Sequence, residues 1–180
     1  MKKLFTLMFM FLMTMGIFTS VAQTTGTAAF GIDTFCEPLS KSGQSASSLG
    51  ISKALWQKLQ NVKSDEAINS SLLKAGFKCT SRKKMKDYDD SIGEYVTYTE
   101  AQYSRTTSTG TIYVDLDWEG LHIRFPNAAE KNKFVATATS KGYRSQGGGA
   151  YQMAGNEAAY WVGVTLRVTG NSVYIFEGRG

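Results

Sequence analysis

Residues 111–125 read TIYVDLDWEGLHIRF. Apolar and polar residues alternate through the first eight positions, and they alternate again after Glu119-Gly120. A period of two is typical of a strand with one buried and one solvated face, and an acid followed by glycine favours a turn. The stretch therefore predicts two antiparallel strands whose wet face carries Asp115, Asp117 and His122.

Strand and helix signals extend to both sides of this hairpin. Candidate strands over 77–86 and 94–105 precede it, and Gly76 ends the helix that comes before them. Beyond Pro126, Asn127 can cap another helix, and more strands follow. These later strands are predicted over 143–153, 160–168 and 173–177. We interpret the order as helix, three strands, helix, three strands.

Two short stretches recur in the same order, which indicates an internal duplication. KAGFK at 74–78 recurs as SKGYR at 140–144, an offset of 66 residues. TGTIYV at 109–114 recurs as TGNSVYI at 169–175, an offset of about 60 residues. A single copy would leave one face of its sheet uncovered, so the two copies are expected to share a core.

The predicted fold class is α+β, with two tandem helix-plus-three-stranded antiparallel sheet units over 51–126 and 127–180. This order resembles the tandem-repeat architecture of the beta-lactamase inhibitor proteins and related small envelope modules. The resemblance concerns topology over 51–180 and includes no motif of that family, so no functional residue is carried over. What it implies is protein binding through a sheet face and loops.

The first 22 residues have the three parts of a secretory signal peptide. Two lysines follow Met1, an uncharged apolar run extends to Phe18, and Ser20-Val21-Ala22 supplies small residues for cleavage. We predict cleavage before Gln23; the alternative is a retained anchor, because the run is barely long enough to span a bilayer. The product is expected to be exported (periplasmic, outer-surface or secreted), without a membrane span, and to begin with an irregular segment over 23–50.

The two cysteines fit an oxidising compartment. Cys36 and Cys79 are an even pair, and outside the cytoplasm such a pair favours a disulfide. In the chain-entropy model, closing a loop of about 43 residues would stabilise the fold by roughly 3–4.5 kcal/mol. The alternative is two buried free thiols.

The net charge gives no reason to predict a nucleic-acid partner, and we predict none. The formal net charge is +5, and removing the two lysines of the signal leaves 5 − 2 = +3, which by itself is too small to indicate nucleic-acid binding. The densest basic run is at 82–86. Strand alternation places Arg82, Lys84 and Lys86 on one face. Such a run is typical of a solvated edge strand; the alternative is a patch for an anionic surface or an acidic partner.

No pattern of residues indicates a catalytic, cofactor or metal site. His122 is the single histidine, and no nucleophile stands near it in the sequence. Residues 115–120 begin like a calcium-binding loop, but the twelfth position is Pro126, where a bidentate acid is required. Gly147-Gly148-Gly149 predicts a hairpin or bulge, since a phosphate-binding loop would need a following lysine and helix.

Exposed aromatic and basic residues favour binding over catalysis. The candidate binding surface consists of Tyr98, Trp161, Arg167, Arg82, Lys84 and Lys86. We predict a non-catalytic protein-binding module that uses no cofactor, with an unidentified protein or glycan partner in the envelope. The alternatives are a structural or assembly component of an envelope complex and a hydrolase that uses acids such as Asp115 or Glu119.

Overall fold

A computed structural model describes residues 30–39, 51–90, 92–153 and 163–177. A 3₁₀ turn spans Ile32–Thr34, and the α-helices are α1 (Lys53–Trp56), α2 (Asp65–Lys74) and α3 (Ala128–Ser140). The strands are β1 (Cys36–Pro38), β2 (Gln60–Val62), β3 (Lys78–Asp89), β4 (Glu94–Thr107), β5 (Gly110–Asp117), β6 (Gly120–Arg124), β7 (Tyr143–Gly147), β8 (Ala150–Met153), β9 (Val164–Thr169) and β10 (Ser172–Glu177).

Eight strands form one antiparallel sheet in the order β3-β4-β5-β6-β10-β9-β8-β7, and β1 pairs with β2 in a separate small sheet. The first four strands of the large sheet are consecutive in the chain, and the last four return from the opposite edge. The two groups meet at β6 and β10, where Ile123 pairs with Val173. Helix α2 precedes the first group and α3 precedes the second.

The predicted α+β class with three-stranded units is wrong. The protein is mostly β, and its main feature is a continuous eight-stranded antiparallel sheet. Both strands of the hairpin predicted over 111–125 are present, so the first group has four strands and the count of three is one too few. In the second group, the predicted strand over 143–153 is two strands, because its glycines turn the chain back on itself.

Capping residues set the helix boundaries, as the sequence predicts for Gly76 and Asn127. The Ser64 side chain accepts a hydrogen bond from the Ala67 N–H at the start of α2, and Asn127 Oδ1 accepts one of 3.0 Å from the Glu130 N–H at the start of α3. These bonds satisfy backbone donors that the first helical turn leaves without partners. After α2, Gly76 adopts a φ of 81°, a conformation that favours glycine.

The core lies between the helices and one face of the large sheet. Alternate residues of β5, β6 and β10 point into it and are almost fully buried: Ile112, Val114, Leu116, Leu121, Ile123, Val173 and Ile175. An aromatic cluster extends the core towards α3, with Phe134 packed against Phe30, Phe35 and Phe125. We call this face of the sheet the helix side.

The predicted disulfide is not formed in this structure, where Cys36 and Cys79 are both free thiols. Cys36 is buried in β1, and its thiol lies close to the side chain of Tyr143 in β7, one edge strand of the large sheet. Burial raises the pKa of Cys36 well above the ordinary range of a thiol. Cys79 is exposed on β3, the opposite edge strand, where its sulfur contacts the carbonyl of Ser81.

Several sequence predictions fall outside the described residues. They include the signal segment at 1–22, most of the irregular segment at 23–50, and Trp161. Among the helices that the structure describes, none has the length and apolar character that a membrane crossing requires.

The three glycines of the β7–β8 hairpin give a matched test of the turn. Gly148 and Gly149 both have positive φ, at +56° and +80°. A Cβ on Gly148 would meet nothing within 4 Å, whereas one on Gly149 would lie 2.3 Å from the Val168 carbonyl oxygen. The Val168 N–H also donates to the Gly149 carbonyl, so the two backbones are held close together.

We expect Gly149→Ala to lower the free energy of unfolding by roughly 1–3 kcal/mol more than Gly148→Ala, because only the first adds a steric clash to the left-handed backbone cost. Urea denaturation of both variants measures the difference. Equal losses would contradict the close approach of β8 and β9 at this point.

Candidate functional site

The sheet face opposite the helix side carries a polar and aromatic surface. Two contacts identify the helix side: the Tyr103 hydroxyl lies 3.0 Å from Asn69 Oδ1 of α2, and Arg105 donates to the Ala75 carbonyl at the end of α2. Residues of opposite parity in the strands point away from the helices. We call that surface the outer face and define it by Tyr113, Asp115, His122, Arg124, Arg167 and Tyr174.

Strand register brings four of these residues into one row across the sheet. Asp115 pairs with His122, His122 with Tyr174, and Tyr174 with Arg167. The row crosses β5, β6, β10 and β9, so it spans the junction of the two strand groups. Cross-strand neighbours of this kind lie about 4.5–5.5 Å apart at their Cβ atoms, which is close enough for direct contact.

The centre of the outer face is a stacked aromatic pair. The rings of His122 and Tyr174 lie 4.1 Å apart with an interplanar angle of 9°. Desolvation, followed by the nearby charge of Arg124, lowers the pKa of His122. The neutral imidazole therefore predominates at pH 7, and Tyr174 remains 42% exposed beside it.

Arginines hold the surrounding side chains in place. Arg124 forms an ion pair of 2.9 Å with Asp115, and its guanidinium lies 5.2 Å from the ring centroid of Tyr113. Arg167 lies 6.0 Å from the ring centroid of Phe176. Contacts that fix a side chain before binding reduce the entropy lost on association.

The structure separates the residues of the predicted binding surface. Arg167 lies on the outer face, and Tyr98 has the same parity on β4 because Gln102, four residues further on, pairs with Asp115. Arg82, Lys84 and Lys86 lie on the other side of the sheet. Trp161 lies outside the described residues. The six predicted residues therefore do not form one patch.

The basic run has structural contacts of its own. Arg82 forms an ion pair of 2.8 Å with Glu66 of α2, and the Lys86 ammonium lies 5.0 Å from the ring centroid of Tyr95. The prediction of an edge strand is confirmed, because β3 is the terminal strand of the large sheet. The alternative prediction, an anionic partner at this run, stays open.

Of the two acids named for a hydrolase, Asp115 is held in an ion pair and Glu119 lies in the turn between β5 and β6. Asp115 is paired with Arg124, and Asp117 Oδ1 accepts backbone hydrogen bonds from Glu119 and Gly120 in the turn that follows β5. Within the described residues, no group of three or more His, Cys, Asp or Glu side chains could hold a metal ion. The turn after β5 leads directly into β6 and does not form a calcium-binding loop.

The sequence prediction missed the residues at the centre of the outer face. His122 was placed correctly on a wet strand face, but nothing local in the sequence links it to Tyr174. Alternation in 172–177 was the available signal, since it separates Tyr174 from its buried neighbours Val173 and Ile175.

Comparison with known proteins gives no match: no protein-family model, no curated protein and no solved structure matches this chain.

Proposed function

We propose that this chain is an exported binding module that docks on a folded partner protein through the outer face of its large sheet. Export is supported by the signal pattern over residues 1–22. Docking is supported mainly by the His122–Tyr174 stack at the centre of the face, where an aromatic side chain is both exposed and held against a neighbour.

The composition of the face suits a protein interface. Tyrosine and arginine are enriched among the residues that carry most of the binding energy in protein complexes. Here Tyr113 and Tyr174 are 45% and 42% exposed, and arginines lie next to both in the sheet. Charged residues of both signs surround them, so the face carries no single-sign field that would favour a polyanion.

Site-specific photocrosslinking tests the proposal. A benzoylphenylalanine placed at Tyr174 is expected to crosslink one partner protein in the envelope fraction of the producing bacterium. The control is the same group at Leu73, which is 49% exposed on α2. Crosslinks of equal yield from both positions, or none from Tyr174, would contradict docking through the outer face.

Once the partner is purified, Tyr174→Ala is expected to weaken its binding by about thirtyfold or more, as the loss of a central aromatic contact does. Leu73→Ala is expected to leave the affinity unchanged, because Leu73 lies on α2, on the side of the sheet opposite the outer face. Isothermal titration calorimetry measures both. If the chain captured a glycan and Tyr174→Ala left the affinity for the protein unchanged, the partner at the outer face would be a carbohydrate and not a protein.

A further inference from the structure

A small aromatic pocket lies at one end of the outer face. Strands β3 and β4 extend past β5 as a two-stranded arm, since β5 pairs with β4 only from Ala101 onward. Where the arm leaves the sheet, a pocket of about 220 Å³ opens. Half-buried Val96, Tyr98 and Trp118 line it, together with the more exposed Tyr88.

The aromatic side chains form walls at an angle to each other. The rings of Tyr98 and Trp118 lie 5.4 Å apart with an interplanar angle of 62°. The face of a tyrosine or tryptophan ring carries negative charge density and attracts a cation within about 6 Å of its centroid. Two such rings beside a cavity suit the head group of an organic cation.

Carboxylates surround the same pocket. Asp87, Asp89 and Asp90 also line it. One oxygen of Asp87 accepts a hydrogen bond from the Tyr88 N–H, and neither Asp87 nor Asp90 takes part in the ion pairs of the described residues. The pKa of Tyr98 is raised, first by desolvation and then by the nearby carboxylates of Glu100, Asp87 and Asp117. This direction is in keeping with a negative local potential.

The basic residue nearest to these acids along the chain is directed elsewhere. Lys86 pairs with Thr97, so it lies on the opposite face of the arm from Asp87 and Val96, and its ammonium is over Tyr95. The pocket is therefore acidic although the chain as a whole carries a net charge of +5. A cation from outside the chain would complement it.

We infer that this pocket binds an arginine side chain of the partner protein. A planar guanidinium can stack on Tyr98 or Trp118 and form paired hydrogen bonds with a carboxylate, which the ammonium of lysine cannot do. The volume is below the 300–1,000 Å³ or so of pockets that hold drug-sized ligands, so it suits one side-chain head group. This inference rests on the proposed function, because the pocket continues the outer face.

The free protein tests the pocket without the partner. Nα-acetyl-arginine amide is titrated into the ¹⁵N-labelled full chain, and the Trp118 indole N–H signal is followed by NMR after assignment with Trp118→Phe. Saturable shifts at this signal are expected, with weaker binding of Nα-acetyl-lysine amide. Nα-acetyl-citrulline amide, which has nearly the same shape but no charge, is expected to bind at least about tenfold more weakly.

A matched pair of variants separates a local site from general charge. Asp87→Asn is expected to weaken the arginine probe by about tenfold, which corresponds to 1.4 kcal/mol, whereas Asp65→Asn on α2 removes the same charge and leaves the affinity unchanged. Thermal unfolding checks that both variants fold. Binding of citrulline as tight as that of arginine, an equal effect of the two variants, or no shift at Trp118 would overturn the inference.

The two proposals fail in different ways. If the arginine probe binds but Tyr174 crosslinks no protein, the pocket takes a free organic cation and the proposed docking function is wrong. If Tyr174 crosslinks a partner and the probe does not bind, docking holds and the pocket plays no part in it.

Discussion

Replacement of Phe134 by alanine is expected to lower the free energy of unfolding by about 3–5 kcal/mol. The ring is almost fully buried and lies 5.4 Å from Phe30, 6.0 Å from Phe35 and 5.5 Å from Phe125 between ring centroids. Its removal leaves a cavity among aromatic rings that cannot collapse freely, because they belong to different elements. A loss of this size is a large part of the 5–15 kcal/mol that typically stabilises a domain.

Guanidinium chloride denaturation measures this loss, with the same dependence of the unfolding free energy on denaturant concentration fitted to the variant and the unmodified protein. Tyr95→Ala is the control, since that tyrosine is 67% exposed on the arm and its truncation is expected to cost less than about 1 kcal/mol. A loss below about 1 kcal/mol for Phe134→Ala would contradict the position of α3 on the sheet.

Replacement of Arg105 by alanine is expected to cost about 2–4 kcal/mol. The guanidinium lies 5.0 Å from the ring centroid of Phe30 and 4.9 Å from that of Phe77, and it donates a 2.9 Å hydrogen bond to the Ala75 carbonyl. Its removal therefore takes away two cation–π contacts and the partner of a carbonyl at the end of α2. Burial lowers the pKa of Arg105, in keeping with a partly desolvated guanidinium.

Arg167→Ala is the matched control for Arg105. Both arginines lie on strands of the same sheet and over a phenylalanine ring, but Arg167 is exposed on the outer face. Its truncation is expected to cost about 0.5 kcal/mol or less. Urea denaturation of the two variants side by side gives the comparison, and similar losses would show that the burial of Arg105 contributes nothing.

Local signals in the sequence were enough for several elements. Alternation over 111–125 predicted the β5–β6 hairpin, because a strand with one buried face imposes a period of two on its own residues. Asn127 predicted the start of α3, because a cap bonds to a backbone group only three positions away. The glycine run at 147–149 predicted a turn for the same local reason.

Local signals were misleading where an element was short or divided. Leu55, Leu59 and Val62 recur at i, i+4 and i+7, a spacing that predicts one short helix. In the structure α1 ends at Trp56, and Val62 lies in β2. Pairing of Val62 with Cys36 outweighs the helical pattern there, because a short helix has few backbone hydrogen bonds to lose. The count of three strands per unit was wrong because each unit contains a tight hairpin, β5–β6 or β7–β8, that was counted as one strand although its turn was predicted.

The buried face of the 111–125 hairpin and the start of α3 could be predicted from the sequence, since both depend on neighbours within a few positions. Which strands lie side by side depends on the tertiary structure. It placed β6 next to β10, which stacks His122 on Tyr174, and it placed the strands of Cys36 and Cys79 apart. Pairing between distant strands is fixed by packing of the whole core, because each register must bury every apolar residue of both strands at once.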